Sequence, residues 1–411
     1  MTLAVLSVAA LVAAMIISCT TRLNVGVISL AFAWVIGVLV GGMSLDAVLG
    51  TFPVQLFLML VGVTLLFSQA QLNGTLDRLA HAAVRLCRGN TGLVPVMFFV
   101  LALGIASLGP GNVATAAMLA PMAMAVAARA NINRFLMAIM VGNGAQAGSL
   151  SPFAPTGIIV NGIMETIGLG GAEWYTYWTN AAAHGVLAFG GYFAFGGLVL
   201  FASRFEGTRD DASEQAFDPK HLVSLAVIFV VVVAVLFFEA NIGMAAFTGA
   251  VVLAATRMAD HEQAIRNIPW TPIIMVTGVT VLIGLMQETG GMDLFTAALA
   301  RFATEDTATG LLAFLTGVIS VYSSTSGVVL PAFLPTIPGL IERLGGGDPM
   351  ALAASMNIGA HLVDMSPLST TGAICLAAVT TPSEVRPTYN RLLIWGLSMS
   401  VVGGVLCFLV F

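Results

Sequence analysis

Long apolar stretches recur along the chain and are separated by short polar segments. Each stretch of about 18 or more apolar residues can cross roughly 30 Å of hydrocarbon as a helix. The first half predicts spanning helices at 3–19, 25–42, 52–71 and 178–202, an interrupted helix at 134–166, and an amphipathic segment at 76–88 that carries Arg78, Arg85 and Arg88.

Two of the apolar stretches are interrupted in the middle. The stretch 93–129 contains Gly109, Pro110 and Gly111, and the stretch 134–166 contains Ser151-Pro152 followed by Pro155. Proline and adjacent glycines end a helix. The first stretch therefore predicts a re-entrant hairpin and the second a broken helix.

The chain repeats itself at an offset of about 216 residues. The run Gly62 to Leu66 returns as Gly278 to Leu282, and Gly144-Ala145-Gln146 returns as Gly359-Ala360-His361. So many residue pairs at nearly one offset indicate that the chain consists of two copies of one structural unit. Further pairs are Asn24 to Gly26 with Asn241 to Gly243, Pro53 with Pro269, Gln71 with Gln287, Asp77 with Asp293, Ser151-Pro152 with Ser366-Pro367, and Thr156-Gly157 with Thr371-Gly372.

The repeat divides the chain into 1–202, a polar linker at 203–221, and 222–411. Five crossings in each copy oblige the second copy to enter from the opposite face, so the repeat is inverted. We therefore predict an all-α polytopic membrane protein of two inverted repeats, each with five transmembrane helices plus a re-entrant hairpin. The first copy comprises helices within 1–71, hairpin 93–129, broken helix 134–166 and helix 178–202; the second comprises helices within 222–288, hairpin 309–341, broken helix 350–379 and helix 388–411.

Basic residues indicate the orientation, because Lys and Arg accumulate in cytoplasmic loops. Threading ten crossings places all but Arg301 and Arg343 of the 15 basic residues on one face. That face is predicted to be cytoplasmic, with both termini periplasmic in a bacterial inner membrane. Its basic residues are Arg22, Arg78, Arg85, Arg88, Arg129, Arg134, Arg204, Arg209, Lys220, Arg257, Arg266, Arg386 and Arg391.

Composition excludes other classes of protein. Hydrophobic residues make up 58% of the 411 residues, only 9% are charged, and the mean hydropathy is +0.98. A soluble domain carries charge on about a quarter of its positions, so the lipid bilayer is the expected environment. The net charge of −5 does not suggest nucleic acid as a partner. The chain has no nucleophile elbow, zinc motif or phosphate loop, so we predict neither an enzyme nor a cofactor.

The interrupted segments are the candidate sites. Irregular backbone at membrane depth is tolerated where it lines protein or a cavity. Helix N-termini there suit carboxylate oxygens, while hydroxyls and unwound carbonyls suit a small cation. The expected substrate-binding residues are Asn112, Ser149, Ser151, Thr325, Ser326, Ser366 and Thr371, and the expected cation-binding residues are Gly111, Asn112, Pro152, Ser326, His361 and Asp364, with no metal expected beyond sodium.

Asp364 is the acid placed deepest in the membrane by this topology, and His361 lies one helical turn before it. Ionisable groups at this depth indicate function. The pair is either a cation ligand or proton carrier, or a buried Asp–His pair that braces the broken helix.

Two resemblances narrow the function. The run Gly111 to Pro121 resembles the hairpin signature of the divalent anion sodium symporters, with Asn112 at the family asparagine and Gly111 and Val113 in place of its serine and threonine. Residues 1–165 resemble the MatC-type dicarboxylate carriers more closely. That resemblance rests on Phe52-Pro53, Leu60 to Thr64, Asn73 to Thr75, Ala83 to Leu86, Gly144 to Gly148 and Ser151-Pro152.

The resemblance implies an elevator-type carrier. The first helices of each copy would form a dimerising scaffold, and the hairpins and broken helices a mobile transport domain. The leading hypothesis is import of a C3 or C4 dicarboxylate, malonate first, by symport with sodium or protons. The alternatives are the large permease subunit of a tripartite dicarboxylate system, and a cation exchanger without an organic substrate.

Overall fold

The computed structural model describes residues 3–21, 23–84, 90–204 and 218–411. These residues are predominantly helical, and none of them forms a named strand. Seven of the helical segments are long and apolar enough to cross a membrane. The prediction of an all-α, multi-pass membrane protein is therefore confirmed. The seven are Leu3–Thr20, Val54–Leu72, Gly111–Arg129, Pro219–Phe238, Trp270–Glu288, Thr325–Leu344 and Pro382–Val410.

The described helices of the first half follow the apolar pattern except at its last predicted span, 178–202, where helix Glu173–Ala194 is followed by the short helix Gly197–Leu200. A π-helical turn, Val35–Val40, extends the second helix of this half. Residues 85–88 of the predicted amphipathic segment lie outside the described residues. The helices are α1 (Leu3–Thr20), α2 (Val25–Trp34), α3 (Leu45–Leu49), α4 (Val54–Leu72), α5 (Thr75–Val84), α6 (Leu93–Leu108), α7 (Gly111–Arg129), α8 (Arg134–Gly148), α9 (Pro155–Thr166), α10 (Glu173–Ala194) and α11 (Gly197–Leu200).

The second half has corresponding helices, but the second arm of its hairpin is divided into several short helical turns. A π-helical turn, Thr325–Val329, and a 3₁₀ turn, Leu334–Thr336, lie in the second hairpin, and a 3₁₀ turn, Val363–Met365, follows the first part of the second broken helix. Most of the predicted linker, 205–217, lies outside the described residues. The helices are α12 (Pro219–Phe238), α13 (Ile242–Ala255), α14 (His261–Arg266), α15 (Trp270–Glu288), α16 (Gly291–Ala300), α17 (Ala308–Ser320), α18 (Leu330–Phe333), α19 (Ile337–Leu344), α20 (Pro349–Leu362), α21 (Thr370–Ala377) and α22 (Pro382–Val410).

Two glycine crossings join the halves. Helix α4 packs along α13, and α15 packs along α2. A Cβ on Gly62 would lie 2.5 Å from the carbonyl oxygen of Gly243, and a Cβ on Gly278 would lie 2.2 Å from that of Gly26. Small residues of this kind let backbones approach closely in membranes. In the repeat, Gly62 corresponds to Gly278 and Gly26 to Gly243, so the two crossings are the same contact made twice.

The hairpins and broken helices also pack in corresponding ways. Helix α8 lies against α6 and α10, and α20 lies against α17 and α22. A Cβ on Gly144 would lie 2.4 Å from the oxygen of Phe99, and one on Gly359 would lie 2.1 Å from the oxygen of Ala313. Two copies of one unit would produce this pairing. The inversion of the copies and the elevator division stay predictions.

The apolar core lies in two main clusters. One joins the crossing helices α2, α4, α13 and α15 to α9 and to the second arm of the second hairpin. The other joins α6, α7, α8 and α10 to the region of α21 and α22. The broken helices run between these clusters, and residues 149–151 and 363–366 of their interrupted segments are buried, whereas Leu368 is 48% exposed.

One ion pair ties the start of α8 to the start of α22. The Arg134 Nε atom lies 2.9 Å from Glu384 Oε2, and the two side chains are 10% and 42% exposed. Arg134 also donates from Nη1 to the carbonyl oxygen of Ile132, 2.5 Å away. The arginine is therefore held in a fixed, largely desolvated position.

Replacing Glu384 by alanine is expected to lower the free energy of unfolding by about 1 kcal/mol, because it leaves a desolvated guanidinium without its carboxylate while solvent screens part of the interaction. Thermal unfolding of the purified protein in detergent measures the change. Glu262→Ala is the matched control, since Glu262 lies 3.9 Å from Arg266 with both side chains at least 80% exposed. Equal melting temperatures for the two variants would contradict the expectation.

Candidate functional site

The two broken helices are interrupted at 149–154, the first break, and at 363–369, the second break. Backbone hydrogen bonds within each break order it. In the first, the Ala154 amide donates to the oxygen of Ser151, 2.9 Å away, and the Gly157 amide donates to that of Ser149, 3.0 Å away. In the second, the Ser366 amide donates to the oxygen of Val363, 2.9 Å away. The helices α7, α9 and α21 begin beside these breaks, and the first turn of a helix has N–H groups without intrahelical acceptors.

Gln146 on α8 lies at the centre of a polar network. Its Oε1 atom accepts from Asn112 Nδ2, 2.9 Å away, at the tip of the first hairpin. Its Nε2 atom donates to Asp364 Oδ2 at 3.0 Å and to Thr371 Oγ1 at 3.2 Å. An ionised carboxylate only accepts hydrogen bonds, so the NH₂ end of the Gln146 amide faces Asp364 and its oxygen faces Asn112.

Asp364 completes the network from the second break. Its Oδ1 atom accepts from Thr325 Oγ1, 2.9 Å away, at the tip of the second hairpin. Thr325 in turn is hydrogen-bonded to Ser320. Asp364 is only 8% exposed, and none of the salt bridges between described residues involves it. The network thus joins both hairpin tips to both broken helices around one buried carboxyl group.

Neighbouring side chains hold the backbone of Gln146. Its carbonyl oxygen accepts from Ser149 Oγ at 2.7 Å and from Asn180 Nδ2 at 2.9 Å. Ser151 Oγ donates to the carbonyl oxygen of Ser107 at 2.6 Å and so ties the first break to the first hairpin. These bonds hold the backbone from which the Gln146 side chain extends.

The structure brings together four of the residues expected at the site: Asn112, Thr325, Asp364 and Thr371. The side-chain oxygens of Ser149, Ser151 and Ser366 bond to nearby backbone instead. Ser326 is half-buried beside Thr325, and Pro152 lies within the first break. Gly111 begins α7 with φ +75°, a conformation that favours glycine. The binding roles of these residues stay predictions.

His361 makes its hydrogen bond to the backbone of its own helix. Its Nδ1 atom lies 2.8 Å from the oxygen of Asn357, and a carbonyl only accepts, so Nδ1 donates. Likewise His184 Nδ1 lies 2.9 Å from Oδ1 of Asn143, whose Nδ2 donates to a backbone oxygen. Both rings are fully buried. Among the hydrogen bonds of the described residues none joins His361 to Asp364, so a hydrogen-bonded Asp–His brace is absent there.

Sequence reasoning missed Gln146 as a site residue. Its one signal was its place in the repeat, where it corresponds to His361. Ser320 and Asn180, which support Thr325 and Gln146, carried no comparable signal. All three are buried at 1% exposure or less.

Comparison with known proteins supports a transporter. Residues 1–149 match the family model described as the N-terminus of dicarboxylate carrier protein MatC. The matched part includes Asn112 and Gln146 and ends at residue 149, where the first break begins. The chain is also similar to an uncharacterized transporter of Mycobacterium bovis and to one of Mycobacterium tuberculosis, each 23% identical over 302 residues that cover 70% of this chain and 68% of the relative. The fold, the buried network and these similarities together support a multi-pass membrane transporter whose N-terminal part resembles that of a dicarboxylate carrier.

Proposed function

We propose that this chain is a secondary active transporter that imports a small C3 or C4 dicarboxylate, malonate first, by symport with a cation. The observation that carries the proposal is the buried network of Asn112, Gln146, Thr325, Asp364 and Thr371, which lies where both hairpin tips meet both broken helices. The resemblance of residues 1–149 to a dicarboxylate carrier supports the choice of substrate.

The chemistry of the network fits both partners of a symport. Amide and hydroxyl donors, with the N-termini of α7 and α21, hold carboxylate oxygens without a buried basic side chain. Asp364 supplies a negative charge at the same place, which a sodium ion or a proton neutralises. Since a buried unpaired charge is costly, substrate and cation favour each other's binding.

The rest of the proposal follows the predicted topology. The crossing helices form the scaffold of a homodimer, and the hairpins and broken helices carry the site between the two faces of a bacterial inner membrane, with both termini periplasmic. Ser149, Ser151, Ser326 and Ser366 line the substrate path. Gly111, Pro152 and His361 contribute to the cation side of the site.

Uptake of radiolabelled malonate into proteoliposomes that contain only this chain tests the proposal. We expect accumulation driven by an inward sodium or proton gradient and competition by unlabelled succinate, with citrate and aspartate as the comparison anions. No uptake under either gradient would contradict a self-sufficient carrier and favour a permease that needs a binding protein. Cation flux that does not depend on malonate would favour a cation exchanger.

A further inference from the structure

The donors of the network are directed at the protein's own carboxyl group. Gln146 Nε2 and Thr325 Oγ1 each donate to a different oxygen of Asp364, at 3.0 and 2.9 Å. This is how two donors recognise both oxygens of a carboxylate ligand. Asp364 thus occupies the donor pair as a tethered carboxylate.

The two donors have little freedom to turn elsewhere. The Gln146 amide is engaged at both ends, because Asn112 donates to its Oε1 atom while its Nε2 atom donates to Asp364 and Thr371. Thr325 is 7% exposed and is engaged by Ser320. Because the tips and breaks fix both donors, a second carboxylate reaches them only by displacing Asp364.

Charge makes that displacement depend on a cation. Two carboxylates that share one buried donor pair repel each other, and this repulsion is stronger at a buried, low-dielectric site than in bulk water. The elements packed against the turn of Asp364 are α8, α17, α20, α21 and α22. Their titratable groups, none of which hydrogen-bonds to Asp364, are Arg134, His361, Cys375, Glu384, Arg386, Tyr389, Arg391 and Cys407.

We propose that Asp364 competes with a substrate carboxylate for Gln146 and Thr325, and that the coupling cation admits the substrate by neutralising Asp364. This inference rests on the proposed function and gives its coupling a physical origin. The cation is a sodium ion or a proton, which share the chemistry of charge neutralisation. The recognised group is a planar carboxylate that takes the place of the aspartate side chain.

Asp364→Asn tests the competition, because it keeps the size of the side chain and removes its charge. Malonate binding to the purified full-length protein is measured by calorimetry in sodium chloride and in choline chloride, each at pH 6 and pH 8. For the unchanged protein we expect at least about tenfold tighter binding with sodium or at the lower pH, whichever ion is coupled. Asp364→Asn is expected to bind malonate equally in all four conditions, and at least as tightly as the unchanged protein in its best condition.

Asp306→Asn is the matched control, because Asp306 is an exposed acid outside the network. It is expected to keep the full cation dependence. In proteoliposomes Asp364→Asn is expected to exchange malonate across the membrane without accumulating it against a gradient. Weaker binding by Asp364→Asn with the cation dependence retained would overturn the inference and leave the proposed function intact.

A measurement on the unchanged protein covers the case in which Asp364→Asn does not fold. Infrared difference spectra with and without malonate, repeated with ¹³C-labelled malonate, separate bands of the substrate from those of protein carboxyl groups. We expect malonate to change a protein carboxyl band, since Asp364 loses both donors. An unchanged protein band with malonate bound would overturn the competition, whereas the absence of malonate binding in every condition would overturn the proposed function and the inference together.

Discussion

Replacing Gln146 by leucine is expected to reduce malonate uptake about 100-fold. The variant loses the amide that links Asn112, Asp364 and Thr371, and it leaves the buried carboxyl group without one of its two donors. Hydrogen bonds to charged groups contribute about 1.5–3 kcal/mol each, and 1.4 kcal/mol corresponds to about tenfold. Initial uptake rates, normalised to the amount of protein in the proteoliposomes, measure the effect.

Gln71→Leu controls for the loss of a glutamine from a membrane helix. Gln71 is exposed near the end of α4 and lies outside the network. Its replacement is expected to leave uptake within about twofold of the unchanged protein, as for a surface substitution. If Gln146→Leu also stayed within that range, the network would not be the substrate site.

The second large effect is expected from Gly278→Ala, at a crossing of the two halves. The added Cβ atom would lie 2.2 Å from the carbonyl oxygen of Gly26, and backbone cannot move aside as a flexible side chain does. Overpacking costs roughly 1–3 kcal/mol and sometimes more. We expect the free energy of unfolding to fall by at least about 3 kcal/mol, measured as a loss of folded protein on heating in detergent.

Gly190→Ala is the matched control, because nothing lies within 4 Å of a Cβ built at this position on α10. Alanine is the better helix former by about 1 kcal/mol, so this variant is expected to be as stable as the unchanged protein or slightly more so. Gly62→Ala, at the corresponding crossing, is expected to behave like Gly278→Ala. Equal stability of Gly278→Ala and Gly190→Ala would contradict the close packing.

Much of the fold is visible in the sequence because helix ends carry local signals. Gly109 and Pro110 predict the first hairpin tip, and Gly109 has φ +145° there. The helix predicted at 178–202 instead begins at Glu173 and ends at Ala194, before Gly196 at φ +96°. Hydropathy could not detect this end, because the residues that follow it are also apolar.

The site was only partly visible because its contacts are distant along the chain. Asp364, Asn112, Thr325 and Thr371 stood out as polar residues beside interrupted helices. Gln146 donates to a carboxyl group 218 residues further on, and no local pattern encodes such a pairing. Its amide looked like ordinary packing in an apolar helix until the tertiary structure placed it between the two hairpin tips.

The glycine crossings also constrain how the chain is made. Helix α4 packs against α13, and α2 packs against α15. Each contact can therefore form only after the later half of the chain has been synthesised. Roughly 180 residues separate Gly62 from Gly243, which takes about 10 to 40 s to synthesise. During that interval the newly inserted helices have their glycine faces uncovered. An isolated first half would therefore lack both contacts, because its helices α2 and α4 would lie in the bilayer without α15 and α13.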